Sequence, residues 1–351
     1  MIGFRLALLL LLVPLAIALN VFGLIVSKTL NRPNTQSEQH GYRGTGMVLL
    51  QERKAKTAAL AANAIPASVP YAGDEGAKAG TVYENVKVLG NVNVGEFTRL
   101  MVSMTKWVAA DQGCAACHNT ANFADDSLYT KVVARRMLQM VQHVNSDWTK
   151  HVGETGVTCY TCHRGQLVPP NVWFSDPGPT QAGGSAQMPA GKNHPSMVAG
   201  GSALPLDPFT PYLEQNGEIR VASKTALQTG NPQSIKQAQW TYSLMMSFSK
   251  SLGVNCNFCH NTRSFYSWSD SPPQRITAWH GIRMVRDLNS NYLNPLSDKL
   301  PANRLGPAAG DAPKVFCATC HNGVSKPLFG VSMVKEFPEL REKTQLQSDG
   351  R

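Results

Sequence analysis

The sequence predicts a mainly α-helical chain with much irregular structure, built from four helix–turn–Cys-x-x-Cys-His units in two pseudo-twofold pairs behind one N-terminal transmembrane helix. Three observations carry that prediction. All eight cysteines fall in one pentapeptide pattern repeated four times. A methionine-bearing stretch with helical periodicity and a glycine-containing turn lead into each pattern. The chain also opens on a long uncharged apolar run.

That run, Leu6 to Val26, is interrupted only by Pro14, Asn20 and Gly23. As a helix it would be roughly 31 Å long, enough for a bilayer core. The flanking Arg5, Lys28 and Arg32 are too balanced to set topology. Ala16-Ile17-Ala18 also resembles a signal-peptidase site, the mark of a removed leader, but a retained anchor over residues 1–27 is the expectation. Residues 28–92 read as a tether and lead-in segment.

The repeat follows. Phe97 to Val108 carries Met101, Met104 and Trp107 before Gly113 and the first motif. Val132 to Val144 carries Met137 and Met140 before Gly156 and the second. Residues 93–175 thus hold units 1 and 2. Residues 176–231, dense in Gly, Pro, Ser and Ala and including Gly183-Gly184-Ser185, read as an irregular connection. Ile235 to Lys250 carries Met245 and Met246 before Gly253 and the third motif. Ile276 to Leu288 carries Met284 before a longer loop to the fourth. These units occupy 232–335, and 336–351 is a C-terminal tail.

The motifs are Cys114-Ala115-Ala116-Cys117-His118, Cys159-Tyr160-Thr161-Cys162-His163, Cys256-Asn257-Phe258-Cys259-His260 and Cys317-Ala318-Thr319-Cys320-His321. Cys-x-x-Cys-His is the attachment signature of c-type haem. The two thiols add across the haem vinyl groups, and the adjacent histidine is held to bind iron from one face. Zinc sites bring cysteine pairs close together in sequence, whereas these lie far apart. Thioredoxin-like pairs do not need the histidine, and disulfides would not repeat one pentapeptide. The sequence therefore calls for four covalent haems.

Composition fits that cofactor load. Only 16% of residues are charged, while 29 glycines and 22 prolines favour turns. Haem faces would supply apolar area that side chains otherwise provide. The formal charge of +10 is no nucleic-acid signal, because four haems bring roughly eight propionates and leave a net charge near +2. Arginine and lysine are expected to meet those carboxylates; Arg275, Arg283 and Arg286 are candidates.

The sixth iron ligand is not fixed by the motifs. Methionine raises a haem potential and a second histidine lowers it, yet most methionines merely fill core gaps. Outside the motifs stand His40, His143, His151, His194 and His280. His40 and His194 lie in polar, loop-like segments; His143, His151 and His280 are candidates for a bis-histidine haem. By internal symmetry alone, Met284 would serve the fourth haem.

From about Gly90 to Glu339 the chain resembles the tetrahaem cytochrome subunit of purple-bacterial photosynthetic reaction centres. The matching runs include Val132-Val133-Ala134-Arg135-Arg136-Met137-Leu138, Thr155-Gly156-Val157-Thr158 into the second motif, Leu206-Asp207-Pro208-Phe209-Thr210, Gly281-Ile282-Arg283-Met284-Val285-Arg286-Asp287-Leu288-Asn289 and Lys326-Pro327-Leu328-Phe329-Gly330. The resemblance implies Met101 as sixth ligand with His118, Met137 with His163, Met245 with His260, and His151 with His321. Met104, Met140, Met246 and Met284 would then only pack. His143 is left without a role.

The same resemblance implies an electron-transfer subunit, not an enzyme, that re-reduces the photo-oxidised bacteriochlorophyll pair. Its partners would be the reaction-centre L and M subunits, with the H subunit and light-harvesting antenna in one complex. A soluble cytochrome c or a high-potential iron–sulfur protein would feed it. Haem is attached outside the bacterial cytoplasmic membrane. The expected location is therefore the inner, photosynthetic membrane, single-pass, with the haem domain on the periplasmic side. A multihaem relay to a periplasmic respiratory reductase uses the same chemistry. A multihaem reductase would need one open iron position.

Overall fold

A computed structural model of the chain describes residues 2–29, 34–39, 48–178, 194–195, 201, 203–222 and 233–342. Helices α1 (Ile2–Thr29), α2 (Arg53–Ala62), α3 (Ala79–Val82) and α4 (Val94–Val108) are followed by α5 (Tyr129–Asp147), α6 (Thr149–Val152) and α7 (Cys159–His163). Beyond the connection come α8 (Ile235–Leu252), α9 (Gln274–Leu288) and α10 (Cys317–His321). Strand among the described residues is confined to two short antiparallel pairs, β1 (Thr35–Gln39) with β2 (Val48–Glu52) and β3 (His194–Pro195) with β4 (Ala203–Leu204). The chain is mainly helical with much irregular structure.

The expected membrane anchor is corrected. Among the described residues no helix is long and apolar enough to cross a membrane. The single-pass placement over 1–27 is overturned with it.

Helices α4, α5 and α9 start two or three residues earlier than periodicity predicts, and α8 starts at the expected Ile235. Asn93 Oδ1 accepts the Glu96 N–H at 2.8 Å at the start of α4, and Glu96 adds a favourable charge in the first turn. Ser234 Oγ accepts the Gln237 N–H at 3.2 Å to begin α8, which ends on Gly253 at φ 63°. Pro272 and Pro273 precede α9, where a fixed φ suits a first turn.

Two hydrogen-bond patterns occur twice. In α5, Asn145 Nδ2 donates to the Val157 carbonyl at 2.9 Å and Asn145 Oδ1 accepts the Val157 N–H at 2.7 Å. In α9, Asn289 holds Val315 in the same way, at 3.0 and 2.9 Å. Both asparagines are buried, and each clip fixes the backbone two residues ahead of a motif. Further back, the Gly165 N–H donates to the Trp107 carbonyl at 2.8 Å, and the Gly323 N–H donates to the Ser251 carbonyl at 2.9 Å. Helix α4 is thereby docked on α7, and α8 on α10. Asn145 and Asn289, and Trp107 and Ser251, lie 144 residues apart, as His143 and Asp287 do, whereas their partners, Val157 and Val315 and Gly165 and Gly323, lie 158 apart.

From Val48 onward the lead-in segment is sewn onto the second half. Asn255 and Asn257 donate to the Val48 carbonyl at 2.9 and 2.7 Å, and Gln51 Nε2 donates to the Gly253 carbonyl at 3.2 Å. Asn63 and Asn322 each donate to backbone across the α2–α10 contact at 3.2 Å. Within the connection, Asp207 Oδ1 accepts the Phe209 and Thr210 N–H groups at 3.0 Å and starts a turn that buries Tyr212 and Leu213. His40, Gly183-Gly184-Ser185 and the tail beyond 342 lie outside the described residues.

Candidate haem-binding site

One cavity of about 1850 Å³ runs through the helical part of the chain, far larger than the usual small-ligand pocket of about 300–1,000 Å³. All eight motif cysteines, the four motif histidines and His151 line it. So do Met101, Met104, Met137, Met140, Met245 and Met284. Among the described residues no three of His, Cys, Asp or Glu converge as a bare metal site would require.

The motifs adopt two backbone forms, alternating along the chain. The first and third begin in short 3₁₀ turns, Gly113–Ala116 and Cys256–Phe258. The second and fourth form α7 and α10, each closed by a left-handed residue, Arg164 or Asn322. In α7, Thr158 and Thr161 make a reciprocal cap. In α10, Thr319 Oγ1 accepts the Phe316 N–H at 3.0 Å.

Backbone carbonyls orient the histidines. Nδ1 of His163 bonds to the Gln166 carbonyl at 2.9 Å and that of His321 to the Val324 carbonyl at 2.9 Å, three residues on in each case. Nδ1 of His260 bonds to the Phe265 carbonyl at 3.0 Å, five residues on. Beside His118, Phe123 stands at the equivalent place with its ring 5.1 Å away, but His118 Nδ1 is buried without a partner in hydrogen-bond geometry. Fixing Nδ1 as donor leaves Nε2 as the nitrogen for iron.

Burial sets the protonation states. It pushes the Cys159 and Cys317 thiols up to about 12 and Cys259 up to about 11. It pushes His118, His163 and His260 down. His321 falls to about 4, through burial first and the neighbouring His151 second. The imidazoles are neutral, as iron ligation requires.

The second and fourth motifs meet. Cys162 Sγ and Cys320 Sγ lie 2.7 Å apart, so the two halves of the chain join motif to motif. His151, on α6, reaches the same junction. Its ring centroid is 6.1 Å from that of His321, close to the roughly 6 Å expected for two imidazoles sharing one metal through bonds of about 2 Å. His151 Nδ1 is held by the Thr277 carbonyl at 2.9 Å. These residues fit a haem iron between them.

The remaining histidines are elsewhere. His143 does not line the cavity; its Nδ1 meets Asp147 at 2.8 Å and its Nε2 meets Asp287 at 2.5 Å, so both nitrogens are taken. His280 packs edge-on against Trp279 at 4.9 Å. His194 belongs to β3. Of the three arginines, Arg286 is spent within the protein: it donates to the Tyr212 carbonyl at 2.6 Å, Asn216 Oδ1 at 2.5 Å and the Gly217 carbonyl at 3.1 Å. Arg275 bonds to Ser267 and Ser271 and covers Trp268 at 4.1 Å. Arg283 covers Trp279 at 4.6 Å and lines the cavity.

Sequence reasoning missed the twin asparagine clips and the part Gly281 plays beside His151. The signal was present: Leu100-Met101, Ser103 and Lys106 recur as Leu244-Met245, Ser247 and Lys250, at the spacing of His143 and Asp287.

Four motif imidazoles, three of them oriented by backbone carbonyls and each beside two thiols in a shared apolar cavity, define a c-type cytochrome. The chain belongs to the photosynthetic reaction centre cytochrome c subunit family, which matches residues 31–341. Relatives described as photosynthetic reaction center cytochrome c subunits are 51% identical over 308 residues in Thermochromatium tepidum, covering 88% of this chain and 76% of the relative. In Rubrivivax gelatinosus the identity is 49% over 311 residues, covering 88% and 84%. In Roseobacter denitrificans it is 40% over 336 residues, covering 91% and 90%. The chain binds c-type haem, associates with the reaction centre, and acts in photosynthetic electron transfer as an electron carrier.

Proposed function

We propose that the chain carries four c-type haems in two pairs, one pair within residues 93–175 and one within 232–335, and re-reduces the photo-oxidised bacteriochlorophyll pair of the reaction centre. The observation that carries this reading is the single cavity lined by all four motifs and by Met101, Met137, Met245 and His151. Cys114 and Cys117, Cys159 and Cys162, Cys256 and Cys259, and Cys317 and Cys320 would form the thioether bonds. His118 with Met101, His163 with Met137, His260 with Met245, and His321 with His151 would hold the irons. When bound, the haems supply one-electron ferrous–ferric cycling.

The chain's own residues make that cycling fast and exclusive. Two protein ligands at each iron leave no position for a small molecule, so no substrate bond is made or broken. Carbonyl-anchored imidazoles move little between oxidation states. Methionine at three irons and histidine at the fourth would set three higher potentials and one lower. Docking of α4 on α7 and of α8 on α10, with Cys162 against Cys320, supports an electron path through motifs 1, 2, 4 and 3 in that order.

The electron would pass to the L and M subunits' pigment pair, within a complex that includes the H subunit and antenna. A soluble cytochrome c or high-potential iron–sulfur protein would replace it. Flash-induced absorbance at the haem α band, recorded with the pigment pair in native membranes, tests the proposal. Haem oxidation should match pigment re-reduction in time. Intact haems that never respond to light would sink it.

A further inference from the structure

We infer that Gly281 is the position that decides the sixth ligand of the haem on His321: its missing side chain admits the His151 imidazole where the first half of the chain uses a methionine. The inference rests on the proposed assignment of His151 to that haem.

The repeat spacing supplies the first observation. Asn145 and Asn289 make identical clips, and His143 faces Asp287 at the same spacing of 144 residues. That register pairs Met140 with Met284 and Val141 with Val285 along α5 and α9. It pairs Met101 with Met245 along α4 and α8. Met137 is paired with Gly281. Three of the four equivalent positions that line the cavity are therefore methionine, and the fourth has no side chain. Met284, which symmetry at first seems to nominate, is the partner of Met140 and not of Met137.

The second observation is steric and independent of any register. A Cβ placed on Gly281 would lie 2.5 Å from His151 Cε1, 2.8 Å from Nδ1 and 3.0 Å from Nε2. Real Cβ atoms do not approach ring atoms so closely, so any side chain there expels the imidazole. Gly281 sits mid-helix in α9 with ordinary helical backbone, so no turn or left-handed conformation calls for glycine. A mid-helix glycine costs stability relative to alanine, and the space it clears is the feature that explains it.

Helix α9 also supplies the grip. The Thr277 carbonyl, one turn before Gly281, holds His151 Nδ1 at 2.9 Å and leaves Nε2 as the nitrogen for iron, with the ring centroid 6.1 Å from that of His321. A hole and an acceptor one turn apart on one helix make a socket for an imidazole delivered from α6. Gly281 is a positioning residue: it would touch neither iron nor electron donor.

The test uses the full haem-loaded chain in five forms: unaltered, Gly281→Ala, Gly281→Met, His151→Ala and the Gly281→Ala/His151→Ala double variant, read by redox titration and by the spectra of the ferric haems. Gly281→Ala should abolish the bis-histidine signature of one haem and raise its midpoint potential, since the lost imidazole is the potential-lowering ligand. Gly281→Met should instead add a methionine-to-iron charge-transfer band in proportion to a fourth methionine-ligated haem. The damage done by Gly281→Ala should vanish in the His151→Ala background, where nothing is left to displace; this holds even if the single variant folds or loads poorly. A bis-histidine haem that survives both Gly281 variants, or alanine damage that is equal in both backgrounds, overturns the inference. If His151→Ala leaves all four haems unchanged, the ligand assignment itself has failed.

Discussion

His143 on α5 and Asp287 on α9 occupy equivalent positions of the repeat and bond directly to each other at 2.5 Å. The residues five further on complete the pairing. Trp148 Nε1 donates to Asp287 at 2.9 Å, and Tyr292 stacks on His143 with ring centroids 5.3 Å apart. Helices α5 and α9 therefore cross at a polar clasp made of one pair of positions and their counterparts, outside the haem cavity.

Asp287→Asn should lower the thermal unfolding temperature of the haem-loaded protein by an amount equivalent to about 1–3 kcal/mol, the usual cost of disrupting a half-buried charged hydrogen-bond set. The pH dependence has a defined sign. Burial opposes ionisation of Asp287, but hydrogen bonds from His143, Asn291 and Trp148 outweigh it and hold the carboxyl below its usual range. A depressed folded-state value means that the stabilisation is present above the unfolded value of about 3.9 and is lost as pH falls through the folded one. The asparagine variant should lack that acid-side loss, and thermal unfolding from pH 6 down to pH 3 checks it.

Glu339 predicts the opposite slope. It is 8% exposed, one carboxylate oxygen has no partner, and burial pushes its pKa up to about 7, with the nearby Glu96 adding to the shift. The folded protein then binds more protons than the unfolded one between the unfolded value of about 4.5 and 7, so this residue erodes stability as pH rises through that window. Glu339→Gln should raise the unfolding temperature at pH 8 and leave it unchanged at pH 4. Equal effects at both would refute the argument.

Asn145→Ala removes both bonds to Val157 and the 2.9 Å bond to the Leu340 carbonyl. Each backbone group left buried and unpaired costs about 1–3 kcal/mol. Since the clip fixes the approach to Cys159, the chain should be recovered with fewer covalent haems. Haem-to-protein ratio, measured beside Asn289→Ala for the fourth motif, reads this out; full loading in both variants would show that the clips do not present the motifs.

Gly253→Ala should destabilise the second half by about 1–3 kcal/mol, the range for overpacking a filled site. Its φ of 63° suits glycine, and an added Cβ would strike the Gly323 carbonyl in the turn after α10. Limited proteolysis should find earlier cleavage on the second-half side than on the first.

The motifs and the helices before them were legible because covalent attachment demands fixed residue types at fixed spacing, and because amphipathic helices announce their period. The choice between Met101 and Met104, or Met137 and Met140, was not: both members of each pair line the cavity, and periodicity alone cannot separate neighbours one turn apart. His143 was unreadable because its partner lies on another helix. The lead-in segment looked like a tether because its anchors are single asparagine and glutamine bonds to backbone, which leave no apolar pattern. The N-terminal run gave a strong hydropathy signal, but among the described residues no helix is long and apolar enough to cross a membrane.

The 144-residue register has a consequence for what a doubled scaffold can do. A dimer of two identical chains must present the same residue twice wherever its halves correspond, so a methionine or a glycine at the ligand position would come in pairs. Joined in one chain, the copies are free to differ. An aspartate can answer a histidine at the crossing, and one glycine can stand where its counterpart is methionine. Covalent continuity thus turns a symmetric box into one with a direction, whose two halves need not be built alike.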